Sequence, residues 1–77
     1  MRVFVAGGCH LCDAAEAIVR DVCAAAGASF GIVPIDGDPE LERRYRERLP
    51  VVEVDGEAAF TFFVSPDGLR RVLARRR

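Results

Sequence analysis

Lysine is missing from this 77-residue chain: all eleven basic residues are arginine. Positive charge near any site must therefore come from guanidinium groups, from backbone dipoles or from the single histidine. There is no low-complexity tract and no internal repeat, which excludes a disordered tail or a solenoid. Charge of one sign is lacking too. A formal net charge of −1 and a pI near 5.7 leave no global field for nucleic acid or acidic lipid. Long hydrophobic runs are absent. After Arg2 the chain offers only Val3-Phe4-Val5-Ala6 before Gly7-Gly8, too little for a signal-peptide core and far too little to span a bilayer. The expectation is a cytoplasmic protein without membrane contact, in a compartment where stable disulfides are rare. Cysteine is scarce, and three is an odd number, which argues against a structural disulfide framework.

What is present belongs to a folded protein: 51% hydrophobic and 30% charged residues. The length fits one domain, residues 1–77, near the lower limit for a self-sufficient core. A first strand is expected over Arg2–Ala6, built on Val3, Phe4 and Val5. From Leu11 apolar residues recur at Leu11, Ala15, Ile18, Val22 and Ala26, one face of a helix that Gly27 stops. Phe30–Ile35 form a second strand, and Asp36-Gly37-Asp38-Pro39 a turn. Asp38 is then the N-cap, and Pro39 the first residue, of a helix running to about Arg48. Its apolar stripe is Leu41 and Tyr45, and its outer face pairs Glu40 with Arg44 and Glu42 with Arg46. Leu49-Pro50 ends it. Val51–Val54 follow as a strand, Asp55-Gly56 as a hairpin turn, and Ala58–Val64 as a fourth strand with Phe60, Phe62 and Val64 on one face. Ser65 and Pro66 open a last helix that turns Leu69, Val72 and Leu73 inward. The fold class is α/β, in the order β-α-β-α-β-β-α, with a four-stranded mixed sheet and helices on both faces.

The chemistry sits in "GCHLCD", where Cys9 and Cys12 flank His10 and Leu11 at the junction of first strand and first helix. The unpaired N–H groups and dipole of a helix start stabilise a thiolate there. Cys9 is then the exposed nucleophile, and Cys12, one turn later, is near enough to resolve a mixed disulfide. Cys23 lies about 16 Å further along the same helix and cannot join them. It falls off the apolar stripe, as a small and partly buried filler. His10 either tunes Cys9 or is a solvated loop residue. Asp13 and Glu16 are first-turn helix stabilisers.

These residues, the element order and "LPVVEVDG" entering the hairpin resemble the glutaredoxins of the thioredoxin-fold superfamily, closest to small members with a Cys-His-Leu-Cys site. The resemblance covers nearly the whole chain. It implies a thioredoxin fold, a thiol–disulfide oxidoreductase and a catalytic pair Cys9 and Cys12. It also implies a cis Leu49-Pro50 bond facing that pair, an uncommon geometry. The substrate-binding residues it implies are His10, Leu11, Leu49, Pro50 and Val51, with the Val51 backbone pairing to bound peptide or glutathione. Arg44, Arg46 or Arg48 would clamp a substrate carboxylate, or simply form a solvated face. Two features of the family are missing. The lysine many members carry three residues before the first cysteine is Ala6 here. The glycine pair that holds the amino end of glutathione, counted from Pro50, falls on Phe60 and Thr61.

The expected substrate is a protein or low-molecular-weight disulfide, and the expected reductant glutathione or a thioredoxin reductase. No bound cofactor and no metal are implied, nucleic acid is not a partner, and a monomer is expected. Arg75-Arg76-Arg77 would complement a helix dipole. Two other functions stay open for the CxxC. One is a Cu(I) carrier, since two thiolates suit Cu(I), although copper chaperones run β-α-β-β-α-β. The other is an inactive thioredoxin-fold binding module.

Overall fold

In a computed structural model, which describes residues 1–75, eight elements follow in chain order. They are β1 (Arg2–Val5), α1 (His10–Ala26), β2 (Gly31–Pro34), α2 (Pro39–Tyr45), a 3-10 turn (Arg46–Arg48), β3 (Val51–Val54), β4 (Glu57–Thr61) and α3 (Pro66–Arg75). The sheet is four-stranded in the order β2-β1-β3-β4. β1 runs parallel to β2 and antiparallel to β3, and β3 runs antiparallel to β4. This is the expected mixed sheet. Because a helix separates β2 from β3 and β2 runs parallel to β1, the β-α-β-β-α-β architecture of the copper chaperones is not the one observed. Among the described residues no helix is long and apolar enough to cross a membrane. Arg76 and Arg77 lie outside the described residues.

Alternation along the central strands sorts the core into two layers. Val3, Val52 and Val54 face α1 and α3, where they meet Ala15, Val19, Val22, Leu69 and Leu73. Phe4 and Val51 face the other side with Ile35 and Tyr45 of α2, and the Phe4 and Tyr45 rings stack at 4.4 Å. Helices therefore cover both faces.

The caps follow the sequence closely. Asp38 Oδ1 accepts the N–H groups of Glu40 and Leu41, Ser65 Oγ accepts that of Gly68, and Gly27 closes α1 at φ 68°. Asp55 (φ 53°) and Gly56 (φ 83°) are both left-handed, as the tight turn between β3 and β4 requires. The helix after Pro39 is shorter than its pattern. Its last turn tightens to 3-10 because Pro50 forces Leu49 into an extended conformation (φ −65°, ψ 145°). Glu42 pairs with Arg46 as expected, but Glu40 takes Arg43 in place of Arg44. The Arg44 guanidinium lies instead over the Tyr45 ring.

Two larger differences concern which side chains are inside. The buried face of α1 is Cys12, Ala15, Val19, Val22 and Cys23, whereas Leu11 and Ala26 point outward and Ile18 is half-buried. The helix is rotated by a fraction of a turn from the expected stripe. Alanines spread over about half the circumference of α1 blur the edges of its apolar face, and the inward phase falls on the two cysteines. Cys23 is thus a core residue, 1% exposed, and not a peripheral filler. The second difference is in β4, which stops at Thr61. Phe62 adopts φ 66°, donates its N–H to Pro50 O at 3.0 Å, and leaves Phe62 and Phe63 exposed where alternation would have buried Phe62.

Placing Cys23 in the core sets the sign of its substitutions. Cys23→Ser buries a hydroxyl in an apolar layer and is expected to lower the unfolding free energy by about 1–3 kcal/mol. Cys23→Ala leaves only a small void, at about 1 kcal/mol. Urea denaturation of both variants reads the difference, and a serine variant as stable as the parent would contradict this packing.

Candidate active site

Gly7-Gly8 carry the chain from the end of β1 to Cys9, with Gly8 in the left-handed region at φ 74°. Cys9 is the N-cap of α1, in extended conformation. Its Sγ accepts the Cys12 N–H at 3.1 Å, in the role a serine or aspartate oxygen usually plays. The same bond stabilises negative charge on that sulfur as it develops. Cys9 is partly exposed, and Cys12, one turn into the helix, is 2% exposed.

Burial is the main reason the Cys12 thiol is pushed up to about 11. Its hydrogen bond to Cys9 and the charge on Cys9 raise it further, and Asp13 adds a small push in the same direction. The Ala6 backbone N–H acts the other way. Burial also raises Cys23. Cys12 is therefore a protonated, sheltered thiol next to an accessible one.

The other side of the site comes from β3. Continuing the antiparallel register beyond Phe4 opposite Val51 brings Pro50 level with Val5 and Leu49 level with Ala6. Ala6 and Leu49 pack against the same buried cluster. The Leu49-Pro50 bond is cis. Pro50 is buried and Leu49 half-buried at the mouth of the Cys9 loop. Val51 does not occupy the place expected of it. It is fully buried in a central strand, opposite Phe4 on one side and Thr61 on the other, so the sheet itself flanks its backbone. Any free edge beside the cysteines belongs to the extended Leu49.

His10 is exposed at the start of α1, and Leu11 is 38% exposed. Leu11 lines a shallow groove of about 70 Å³ with Ala14, Ile18, Phe62 and Phe63. Composition foreshadows neither phenylalanine, because strand alternation assigns Phe62 to the interior. The Thr61-Phe62-Phe63-Val64 run, too apolar to alternate cleanly, is the one hint in the sequence. Phe60 and Thr61, where the glutathione-holding glycines were counted, are partly buried residues of β4. The arginines before Pro50 divide. Arg46 is engaged with Glu42 and Asp36, whereas Arg44 and Arg48 lie against the Tyr45 ring. Among the described residues no group of three or more histidine, cysteine or acidic side chains is arranged to hold a metal ion.

The fold and this site can be set beside known proteins. No curated protein matches the sequence. The X-ray structure of a Northeast Structural Genomics target protein, XcR50 from X. campestris, is 27% identical, with a TM-score of 0.80 over 96% of this chain and 95% of that one. The model of the glutaredoxin-like domain (DUF836) matches residues 2–74, from the start of β1 almost to the end of α3. The chain, a thioredoxin-like α/β fold with its CxxC at the head of α1, belongs to the glutaredoxin-like domain family.

Proposed function

We propose that this protein is a thiol–disulfide oxidoreductase working through Cys9 and Cys12. The observation that carries the proposal is the pairing of an accessible N-cap sulfur with a buried thiol one helical turn behind it, whose own N–H donates to that sulfur at 3.1 Å. The Cys9 thiolate attacks one sulfur of a substrate disulfide. The substrate S–S bond breaks, its departing thiolate takes a proton from water, and Cys9 is left in a mixed disulfide. Cys12 then loses its proton and attacks Cys9 Sγ. The second substrate thiolate leaves and is protonated, and the two electrons delivered to the substrate come from the Cys9 and Cys12 thiols, which are oxidised to the Cys9–Cys12 disulfide. A dithiol reductant, or two molecules of a monothiol such as glutathione, restores the pair.

The raised Cys12 thiol fits its place in this order. Two of its causes, the hydrogen bond to Cys9 and the charge on Cys9, disappear once Cys9 is bonded to substrate sulfur. Cys12 thus becomes easier to deprotonate at the step that needs it, and it stays protected before then. The cycle uses no bound cofactor and suits a monomer in a reducing compartment such as the cytoplasm. Either glutathione or a thioredoxin reductase serves as the electron source.

The surroundings favour a polypeptide disulfide over glutathione disulfide. The three exposed large apolar side chains among the described residues, Leu11, Phe62 and Phe63, all line one groove along α1 that starts at Leu11, the residue before Cys12. An ionic tripeptide gains little from such a surface, whereas an apolar side chain flanking a protein cysteine gains its burial.

Three outcomes are expected. With reduced protein, iodoacetamide at pH 8 should modify Cys9 first, and Cys12 should catch up only as pH approaches about 11. Cys9→Ser should abolish disulfide reduction, and Cys12→Ser should accumulate a mixed disulfide visible by intact mass. Equal labelling of both thiols, or no exchange by the parent protein, would count against the proposal. Phe62→Ser should raise KM for an apolar peptide disulfide about tenfold, some 1.4 kcal/mol of lost contact, and leave glutathione disulfide unaffected.

A further inference from the structure

The segment that presents Cys9 is, by composition, the least constrained in the site. Two successive glycines join β1 to the N-cap, and such residues give up the most conformational freedom when held in one shape. Something must hold them. The Gly7 N–H donates to Asp36 Oδ2 at 2.9 Å, a bond that spans 29 positions of sequence. It is the one hydrogen bond from a distant side chain to the Gly7–Cys9 backbone among the described residues.

The fold delivers Asp36 to this spot. The parallel pairing of β1 and β2 runs one residue past β2, where the Ile35 N–H donates to Val5 O at 2.9 Å. Ile35 is fully buried and pins the chain, so the next residue stands abreast of the Ala6-Gly7 turn. The Asp36 carboxylate is itself held. Arg46 Nη2 lies 3.7 Å from Asp36 Oδ1 and bonds Glu42 Oε1 at 3.0 Å. Glu42 Oε2 in turn accepts the Gly37 N–H at 3.0 Å. A closed circuit thus runs Asp36, Arg46, Glu42, Gly37 and back through the peptide bond to Asp36. Asp36 and Arg46 are each about half exposed, so solvent screens the charge attraction between them. What survives screening is direction: a carboxylate oxygen aimed at one backbone N–H.

We infer that Asp36 is a positioning residue for Cys9, tethering Gly7 so that the Cys9 sulfur stays on the α1 N-terminus, with Arg46 and Glu42 orienting the tether. This rests on the proposed nucleophilic role of Cys9, because a fixed sulfur matters only if it reacts. Asp36 touches neither cysteine. It acts through two glycines, by narrowing the conformations from which Cys9 reaches a substrate disulfide in line.

The test compares Asp36→Ala and Asp36→Asn. Asparagine keeps an acceptor oxygen without the charge, and alanine keeps neither. Amide hydrogen exchange at Gly7 should speed up at least tenfold in the alanine variant and remain near the parent value in the asparagine variant. The second-order rate of Cys9 with a peptide disulfide should fall about tenfold in Asp36→Ala, mainly in kcat with KM little changed, and recover in Asp36→Asn. Two results overturn the inference. One is an alanine variant with a lowered Tm but unaltered Gly7 exchange and unaltered thiol kinetics, which is a purely structural contact. The other is an asparagine variant that behaves like alanine, which makes the charge the active feature. Gly7 exchange and the iodoacetamide rate of Cys9 need no disulfide turnover. If the parent protein reduces no disulfide, those two measurements still decide the tether, and only the oxidoreductase proposal falls.

Discussion

The hydrogen bond from the Cys12 N–H to Cys9 Sγ, 3.1 Å long, is the contact on which both packing and chemistry depend. It supplies α1 with its N-cap, although sulfur is a weaker acceptor than the oxygen of serine or aspartate. By setting where the first turn begins, it also sets which face of the helix turns inward. Cys12 is carried under the surface, and Ala15, Val19, Val22 and Cys23 follow on the same face into the layer against Val3, Val52, Leu69 and Leu73. The phase of the largest helix and the inequality of the two thiols are therefore one structural fact. A helix rotated to bury Leu11 in place of Cys12 would expose both sulfurs and erase the difference in burial between them.

Convergence at this end of the sheet follows from strand direction. β1 is central, and its C-terminal end delivers the Cys9 loop. β3 is antiparallel to β1, so its N-terminal end, with Leu49-Pro50 before it, arrives at the same edge. β4 reverses again, and its C-terminal end brings Phe62 to the Pro50 carbonyl. β2, parallel to β1, ends there too and presents Asp36. Four connections from distant parts of the sequence meet within one loop cluster, while the Asp55-Gly56 turn at the opposite end only reverses the chain. Loops borne on a rigid sheet are the usual place for binding and catalytic groups.

Much of this was legible in the residues. Asp38, Ser65, Gly27 and the Asp55-Gly56 pair act through their own side chains or their own φ, so their local signals survive folding unchanged. The position of the CxxC at a helix start was legible for the same reason. What could not be read depended on a choice between near-equal alternatives. α1 carries alanine over about half of its circumference, and with cysteines set aside for chemistry the apolar stripe came out rotated. Val51 was given a substrate-facing backbone by analogy, yet its burial and two strand neighbours are properties of the assembled sheet. Asp36 looked like any turn aspartate, because its partner, the Gly7 N–H, is a neighbour only in three dimensions.

Departures from local rules gather at the CxxC end. A cysteine replaces a better cap, two phenylalanines stand in water, and Phe62 takes φ 66°, a region that disfavours a bulky side chain. A residue held there costs on the order of 1–2 kcal/mol. A domain of this length is stable by only about 4–11 kcal/mol in total. One strained residue thus consumes a tenth or more of the margin, and glycine at the same position would relieve it at no cost in chain length. The phenylalanine ring stands on the surface instead, in one groove with Leu11, Ala14 and Ile18. The far end of the sheet carries no comparable strain: Asp55, the other non-glycine residue at positive φ, sits in a turn type that demands it. The strain thus falls at the end of the sheet where the four connections converge, in a chain too small to waste stability elsewhere.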